Sequence, residues 1–387
     1  MRVLVFSHSY VVAANHAKLE HLARIPGVEL SLVCPRSVRR EIGTYRVQRI
    51  EHPDYTIVPL RTVYPSHNFR FFYLTAGRAI ARLAPDILHI EEEPWSLAAW
   101  QAVRHRRRRP GVKIVFFTWQ NLRVRQGFPH GAIEWRVLAA ADAAIAGNAE
   151  AAAILREKGF SKPIHVLPQF GVDETAYARR DEAALRQKLG LRGFVIGFAG
   201  RLVPEKGLHL VLEAVAGLAD ASAPEHRTPN TERPDWSLLV AGGGPLRERV
   251  AERLKSPPFA GRSVLLDTVA REAMPRYLNC MDALVLPSRA APHWKEQFGH
   301  VLIEAMACEV PVVGSTCGEI PNVIADAGLV FSEGDGGALR EALRRLMASP
   351  GERAALAARG RWRILERYTD ARIAQATHEI HRQVLGQ

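Results

Sequence analysis

Short apolar runs alternate with helix-forming stretches along most of this 387-residue chain. That alternation is typical of parallel sheets covered by helices, so it predicts an α/β fold with doubly wound sheets. The chain exceeds the length at which one hydrophobic core keeps growing, which predicts two domains. The predicted strands are residues 2–6, 29–34, 87–90, 113–117, 143–146 and 164–167 in the first domain, and 194–199, 237–241, 264–267, 283–287, 311–314 and 328–331 in the second.

A pair of glutamates at the start of a predicted helix is the most specific functional pattern in the chain. Glu296 and Glu304 have Glu-x7-Glu spacing, at the point where an apolar strand gives way to that helix. Gly299 permits a tight turn between them. The amides of His300 and Val301 then lie in the first helical turn, where unpaired N–H groups attract phosphate. A diphosphate that joins two hydroxyl-rich sugars has the right shape to contact both carboxylates.

A second segment supplies positive charge for the same ligand. The predicted strand at 194–199 ends at Gly200, and Arg201 and Lys206 follow before an amphipathic helix begins. A lysine at a helix start is usually solvated when it occurs alone. Ligands of open parallel sheets, however, bind outside the carboxyl ends of the strands. We therefore expect both cations to meet a pyrophosphate beside the glutamate pair.

The cysteines and the apolar segments indicate the compartment. Four cysteines are scattered along the chain without a Cys-x-x-Cys motif. Such thiols fit buried positions in a reducing environment. No apolar stretch approaches the length of a transmembrane helix, and the opening apolar run lacks the cleavage site of a signal peptide. We therefore expect a cytoplasmic protein.

Positive charge is concentrated in the first 175 residues. They hold 24 Lys and Arg against 15 Asp and Glu, so they carry +9 of the formal net charge of +12. One arginine-rich run, residues 104–109, lies at a predicted helix end. The excess fits either a basic solvated surface or an anionic acceptor with peripheral contact to the inner face of an anionic membrane. An aromatic segment at 63–73 could add apolar contact, although we expect a buried helix there.

These segments together resemble the retaining family 4 glycosyltransferases, which have the GT-B architecture of two facing Rossmann-like domains with an interdomain cleft. The likeness covers nearly the whole chain through the stretches MRVLVFSH, PDILHIEEEP, VLPQFGVD, LLVAGGGPLRERV, VAREAMPRYLNCMDALVLPS and the Glu-x7-Glu segment. It implies an acceptor-binding domain over residues 1–172 and a nucleotide-sugar donor-binding domain over 173–365. A C-terminal helix over 366–387 is expected to cross back to the first domain.

The resemblance also implies roles for individual residues. Arg201 and Lys206 would contact the pyrophosphate. Glu304 would contact the ribose hydroxyls and Glu296 the transferred sugar, so that Glu296, Arg201 and Lys206 would be the catalytic residues. The predicted donor site, in which the backbone near Thr268 and Val269 would hold the base, comprises Gly200, Arg201, Lys206, Thr268, Val269, Glu296, Phe298, Gly299, His300, Val301 and Glu304.

Two departures from the family pattern concern the acceptor side. The loop after the first strand, SYVVAANHAK, has none of the family's glycines, so close backbone approach to a phosphate is less expected there. The His-x-His motif of many relatives reads His-Ile-Glu, with Glu91 in place of the second histidine. Trp119 follows a strand and could stack on a sugar or pack in the core. The acceptor-binding candidates are Asn15, His16, His89, Glu91 and Trp119.

No metal and no bound cofactor are expected. The chain has no Asp-x-Asp pair of the kind used by metal-dependent transferases of the other fold. Fixed cations are therefore expected to stabilise the leaving diphosphate. The acidic run at 91–93 beside His89 is a poor metal site, because adjacent side chains point in different directions. No Walker-type loop is present.

The predicted function is transfer of a sugar from a nucleotide-diphosphate sugar to a hydroxyl of a glycan or lipid-linked acceptor, as in the synthesis of cell-envelope polysaccharides. Three alternatives stay open at this point. One is a nucleotide-sugar epimerase or phosphorylase of the same architecture. Another is a non-catalytic nucleotide-sugar binding protein, against which the intact charged residues argue. The basic net charge also suggests nucleic-acid binding, but acids are interspersed throughout the chain, so none is expected.

Overall fold

The computed structural model describes residues 1–40, 43–48, 54–64, 69–104, 111–220 and 235–387. The chain divides into two compact units. Unit 1 comprises Met1–Gly171 and Asp370–Gln387, and unit 2 comprises Val172–Thr369. The sequence predicted that the first domain ends at residue 172 and that the second domain ends at residue 365.

Unit 1 is built on a parallel sheet. Its described strands are β1 (Arg2–Phe6), β2 (Glu29–Pro35), β3 (Ser37–Arg40), β4 (Gly43–Arg46), β5 (Thr56–Leu60), β6 (Thr62–Val63), β7 (Phe72–Tyr73), β8 (Ile87–Ile90), β9 (Lys113–Thr118), β10 (Ala143–Ala146) and β11 (Ile164–Val166). The sheet has the order β11-β10-β9-β8-β1-β2-β5, and two small antiparallel pairs, β3-β4 and β6-β7, lie outside it. The strand order reverses between β1 and β8.

Helices cover both faces of this sheet. They are α1 (Ala17–Ala23), α2 (Ala76–Leu83), α3 (Leu97–Arg104), α4 (His130–Ala140), α5 (Ala149–Glu157) and the last helix of the chain, Asp370–Leu385. Leu4 and Phe6 of β1 share a core with α2 to α5, whereas Val3 and Val5 share a second core with α1 and the last helix. Because both faces of the strand are buried, it reads as a continuous apolar run in the sequence.

Unit 2 is a second doubly wound α/β unit. Its strands are β12 (Phe194–Ala199), β13 (Trp236–Ala241), β14 (Ser263–Leu266), β15 (Ala283–Leu286), β16 (Val312–Ser315) and β17 (Gly328–Phe331). They pair in parallel in the order β14-β13-β12-β15-β16-β17. The helices are α6 (Ala183–Lys188), α7 (Leu208–Asp220), α8 (Arg247–Leu254), α9 (Met274–Leu278), α10 (His300–Ala307), α11 (Ile320–Ile324), α12 (Gly336–Ala348) and α13 (Pro350–Arg367), and the last helix of the chain is α14.

The strands β3 to β7 of unit 1 were not predicted. The buried helix expected over 63–73 is wrong for the described residues of that range, which exclude 65–68, because β6 and β7 pair antiparallel there and the ring centroids of Tyr73 and Phe6 lie 4.6 Å apart. Aromatic and β-branched side chains favour such extended pairing. The strand β5 was not predicted, since Pro59 argues against a central strand. Its place at the edge of the sheet tolerates a residue without an N–H group.

Two further sequence-based expectations concern membranes. Residues 105–109 of the arginine-rich run lie outside the described residues. In the described ranges, no helix combines the length and the apolar character needed to cross a membrane.

The close approach of Gly207 to β15 yields a stability prediction. Gly207 has φ +69° and precedes α7, and a β-carbon there would lie 2.0 Å from the carbonyl oxygen of Pro287. We expect Gly207→Ala to lower the free energy of unfolding by about 3 kcal/mol, because this clash adds to left-handed backbone strain. Urea denaturation followed by circular dichroism measures the loss.

Gly261 provides the matched control. It has φ +73°, but no atom lies within 4 Å of its would-be β-carbon. Gly261→Ala should therefore cost only the strain, about 1 kcal/mol. Equal losses in the two variants would show that the approach to Pro287 does not constrain the loop.

Candidate functional site

The donor-site candidates of unit 2 lie in loops that follow neighbouring strands. Gly200 and Arg201 follow β12, and Ser288 and Glu296 follow β15. These strands are adjacent in the sheet although they are first and fourth along unit 2, so the strand order reverses between them. Ligands of open parallel sheets bind at such a reversal. The residues predicted from the sequence therefore lie where a ligand site is expected.

An ion pair joins the two loops. The Nζ atom of Lys206 lies 2.5 Å from Oε2 of Glu296, and the Ser288 hydroxyl donates to the same oxygen at 2.7 Å. The two charged side chains are only 15% and 9% exposed. Lys206 Nζ also lies 5.2 Å from the ring centroid of Trp294. A charge-assisted pair so far removed from water holds its geometry firmly.

Backbone contacts bring Lys206 to this position. Lys206 ends a short 3₁₀ turn, and Gly207 then passes against the carbonyl of Pro287. The amide of Arg289 donates to the carbonyl of Glu205 at 2.7 Å. Both contacts tie the loop after β12 to the loop after β15. The cation and the carboxylate, about ninety positions apart in sequence, are thus adjacent.

The turn into α10 has the form predicted from the sequence. Gly299 has φ +85°, and a β-carbon there would lie 2.8 Å from the Leu286 side chain. His300 begins α10. Burial, together with the positive charges of Arg271 and Lys206, lowers the pKa of His300 to about 4. The ring is therefore neutral at physiological pH and adds no charge at the helix terminus.

Glu304 lies in α10, four residues after His300, which begins the helix. Burial raises the pKa of Glu304 to about 7, while the positive charge of Arg271 and the neighbouring Tyr177 hydroxyl oppose the rise. The Tyr177 hydroxyl donates a hydrogen bond to the Arg271 carbonyl oxygen at 3.0 Å. The carboxyl group is thus poised between its neutral and ionised forms near neutral pH.

The remaining donor candidates line neighbouring strand ends. Arg201 is exposed, and in the described ranges it has no ion-pair partner. Thr268 and Val269 follow β14, and Thr268 Oγ1 lies 2.7 Å from where a β-carbon on Gly243 would stand. The loops after β13 and β14 are therefore adjacent. Since strands are about 4.8 Å apart, β14 lies roughly 10 Å from β12, so a ligand that reaches both ends must be extended.

Unit 1 has polar side chains at its own reversal, between β1 and β8. The His8 amide donates to Glu92 Oε1 at 2.6 Å, and His8 Nδ1 lies 2.7 Å from Glu92 Oε2. Glu93 accepts hydrogen bonds from the Thr118 hydroxyl at 2.5 Å and the Trp119 amide at 3.0 Å. Burial raises the pKa of Glu93 to about 7, against the effect of these hydrogen bonds.

The predicted acceptor residue His16 is a structural residue in this fold. Its side chain is fully buried, with ring nitrogens 2.5 Å from the Tyr55 hydroxyl and 2.7 Å from the Tyr10 carbonyl oxygen. Neither nitrogen is left for a ligand, so we withdraw His16 from the acceptor candidates. The neighbouring Asn15 is half-buried and donates from Nδ2 to the Ser9 carbonyl at 2.7 Å.

The two departures from the family pattern meet inside unit 1. Lys18, from the loop and helix without glycines, forms a buried ion pair with Glu91, the residue in place of the second histidine. Gln169 donates to the other Glu91 oxygen at 2.9 Å. His89 is 1% exposed, and its Nδ1 lies 3.2 Å from Nε2 of His381 in α14. Glu91 and His89 therefore belong to a buried polar cluster, and we withdraw them as direct acceptor contacts.

Trp119 is positioned by packing. Its indole Nε1 donates to Gln169 at 3.1 Å. A β-carbon on Gly147 would lie 2.2 Å from the ring, so only glycine fits there. The ring is half-buried, and stacking on a sugar stays a prediction.

Several side chains at the two reversals were not predicted. Ser288 is two residues beyond β15 and His8 is two residues beyond β1, so the rule that ligands bind at strand ends could have found both. No sequence pattern predicts the roles of Tyr177 and Arg271, because these residues are far from Glu304 in sequence and become its neighbours only in the folded unit. Within the described ranges, no group of three or more His, Cys, Asp or Glu side chains could hold a metal ion.

Two family models match the chain. The model described as Glycosyltransferase Family 4 matches residues 15–174, and the model described as Glycosyl transferases group 1 matches residues 181–363. Together they match most of the residues of both units.

Curated relatives cover a part of the chain. A GDP-mannose-dependent alpha-(1-6)-phosphatidylinositol monomannoside mannosyltransferase from Mycolicibacterium smegmatis is 31% identical over 211 residues, 52% of this chain and 52% of the relative. A D-inositol 3-phosphate glycosyltransferase from Stackebrandtia nassauensis is 30% identical over 237 residues, 58% of this chain and 50% of the relative. The chain thus spans about half the length of the curated relatives it matches.

The fold is similar to that of a solved glycosyltransferase over its full length. Sucrose-phosphate synthase from Thermosynechococcus elongatus aligns with a TM-score of 0.74 at 19% identity, over 100% of this chain and 99% of that one. This likeness confirms the predicted architecture of two Rossmann-like α/β domains. The two family matches show that the chain belongs to the family 4 glycosyltransferases, and the shared fold is the GT-B fold.

Proposed function

We propose that the protein transfers a sugar from a nucleotide-diphosphate sugar to a hydroxyl group of a glycan or lipid-linked acceptor, with retention of the anomeric configuration. The observation that carries the proposal is the Lys206–Glu296 pair beside the first turn of α10, at the strand-order reversal of unit 2. This arrangement offers cations, helix amides and carboxylates to one ligand. Membership in the family supports the same chemistry.

The diphosphate would lie against Lys206, Arg201 and the first amides of α10. Helix amides and positive side chains are the usual partners of phosphate in proteins. When the bond to the sugar breaks, negative charge grows on the leaving diphosphate. Cations already held in place stabilise that charge without reorganisation, so no metal ion is required in this proposal.

The two glutamates would bind different parts of the donor. Glu304, farther along α10, accepts hydrogen bonds from the ribose hydroxyls. Glu296 lies beside the transferred sugar, where positive charge develops at the anomeric carbon. The base would lie near the backbone of Thr268 and Val269, beyond β13.

Retention of configuration follows from attack on the face that the leaving group departs from. The leaving diphosphate oxygen takes the proton of the acceptor hydroxyl, so no protein nucleophile is needed. The acceptor would be bound by unit 1, with His8 and Glu93 as hydrogen-bonding groups and Trp119 as a candidate for sugar stacking. The charge of +9 in residues 1–175 supports an anionic acceptor.

The names of the relatives suggest the first substrates to test. One relative is named as a GDP-mannose-dependent mannosyltransferase that acts on phosphatidylinositol monomannoside, and another is named as a glycosyltransferase that acts on D-inositol 3-phosphate. Thermal shifts with UDP-, GDP-, ADP- and dTDP-sugars identify the donor, because a bound ligand raises the melting temperature. Proton NMR of the product then gives the anomeric configuration. Donor conversion without any acceptor would favour an epimerase, and phosphate-dependent cleavage a phosphorylase.

Removing either cation of the diphosphate site should abolish most turnover. We expect Lys206→Ala and Arg201→Ala each to lower kcat by roughly 100-fold or more, the scale for loss of one fixed stabiliser of developing charge. Release of nucleoside diphosphate measures the rate. Lys255→Ala is the control, because Lys255 is exposed and pairs with Glu252 on α8. Near-native turnover in Lys206→Ala would disprove its role.

Sugar transfer should survive EDTA. The reason is that Lys206 and Arg201 already supply positive charge where the leaving diphosphate is expected. Initial rates with and without EDTA, after extensive dialysis, test this expectation. A loss of transfer that Mn²⁺ or Mg²⁺ restores would assign the leaving-group charge to a metal instead.

Changing each of the two glutamates to glutamine should affect a different kinetic constant. A ribose contact is present in the ground state and the transition state alike, so Glu304→Gln should mainly raise the donor KM. Glu296→Gln should mainly lower kcat, because its carboxylate faces charge that develops during reaction. Steady-state kinetics with varied donor separates the two effects. The opposite pattern would mean that the assignments are exchanged.

The pH profile gives Glu304 an independent signature. Its raised pKa, about 7, means that the carboxyl group loses its proton as the pH rises through that value. The ionised form accepts hydroxyl hydrogen bonds better, so kcat/KM for the donor should rise from pH 6 to pH 8 in the wild type and stay flat in Glu304→Gln. Glu93→Gln is the control for the other carboxyl group with a pKa near 7, and should keep the donor profile.

A further inference from the structure

An open groove of about 1120 Å³ lies between α3 and α4 of unit 1. Its walls are mainly apolar, with Leu97, Trp100 and Ile133 among them. Among the described residues, Arg104 and Arg136 also line it, and no acidic residue does. The groove therefore combines apolar surface with positive charge.

Two large aromatic side chains that line this groove are exposed to solvent. Phe128, just before α4, is 93% exposed, and Trp135 within α4 is 70% exposed. Water contact with so much clustered apolar surface is unfavourable, and such surfaces mark sites of interaction. Val124, in the loop before Phe128, adds a further side chain that is 44% exposed.

The sequence of α4 separates an inner and an outer face. Ile133 and Val137 are buried in the core, whereas Trp135 and Arg136 are exposed and line the groove. Glu134 is the acid of α4, but it is 8% exposed and its Oε1 lies 2.5 Å from Lys158 Nζ. The outer face thus presents aromatic and cationic groups with no carboxylate.

Positively charged side chains line the same groove as the aromatic side chains. Arg104 and Arg136 are exposed, and the Arg104 guanidinium lies 4.6 Å from the ring centroid of Trp100. Arg125 is exposed in the loop that precedes α4. The charge of this region is therefore complementary to an anionic partner.

We propose that the α3–α4 surface docks on the headgroup region of an anionic phospholipid bilayer. Phe128 and Trp135 would enter the boundary between headgroups and acyl chains, where aromatic side chains are favoured, and the arginines would contact lipid phosphates. Binding of this kind attaches a protein to the membrane surface without a spanning helix. It does not depend on the donor chemistry, and it would bring unit 1 to the surface that contains a lipid-linked acceptor.

Vesicle flotation without donor tests the proposal. The wild type should float with vesicles of phosphatidylglycerol and phosphatidylcholine, much less with phosphatidylcholine alone, and less in high salt, because exposed charges are then screened. The double variant Phe128→Ala/Trp135→Ala should lower the partition coefficient about tenfold or more. Arg104→Ala and Arg136→Ala should each lower it about fivefold.

Trp362→Ala is the matched control. Trp362 is 64% exposed on α13 of unit 2 and is flanked by Arg361 and Arg363, but it does not line the groove. Its loss should leave flotation unchanged. Thermal melts confirm that every variant is folded.

Three outcomes would overturn the proposal. One is a wild type that stays off anionic vesicles at low salt. Another is an equal loss of flotation in Trp362→Ala and in the groove variants. The third is a dimer in sedimentation that the Phe128→Ala/Trp135→Ala variant dissociates, which would assign the groove to a second copy of the chain. Nucleoside diphosphate release with a short-chain acceptor is measured in parallel, so a failure of glycosyl transfer is distinguished from a failure of membrane docking.

Discussion

The proposed donor site depends on the ion pair between Lys206 and Glu296. It joins the ends of two strands that are far apart in sequence, and both charges are largely shielded from water. Loss of one partner would leave the other charge buried without compensation, which is costly. A bound diphosphate would give Lys206 a second anion, while Ser288 continues to donate to Glu296. The pair therefore holds the loops after β12 and β15 together, in the arrangement on which the proposed donor site rests.

Unit 1 contains a second buried ion pair with a different consequence. Lys18 and Glu91 compensate each other inside the unit, so the glutamate in place of the second histidine has a buried partner. The groups that remain nearer the surface at the same reversal are His8 and Glu93. Acceptor recognition in our proposal thus moves from His16, His89 and Glu91 to His8 after β1 and Glu93 after β8.

Much of the fold, and the strand ends that carry the donor-site candidates, could be predicted from sequence, for a local reason. Parallel strands buried on both faces form continuous apolar runs, as in β1 and β12, and the loops after them carry the polar residues. The acceptor side was predicted less well. His16 and Glu91 have the residue types of a binding site, but partners contributed by Tyr55 and Lys18 use their polar atoms internally.

The sequence by itself determined the two α/β units, the strand ends that carry Arg201 and Lys206, and the glycine turn into α10, because each is encoded in a short stretch of chain. Only the tertiary structure decided which charges meet and which are removed from water. The pKa of Glu304 is near 7 because burial outweighs Arg271 and Tyr177, residues that approach it only in the folded unit. The groove between α3 and α4 likewise exists only once the two helices pack, since its aromatic and basic residues come from separate segments.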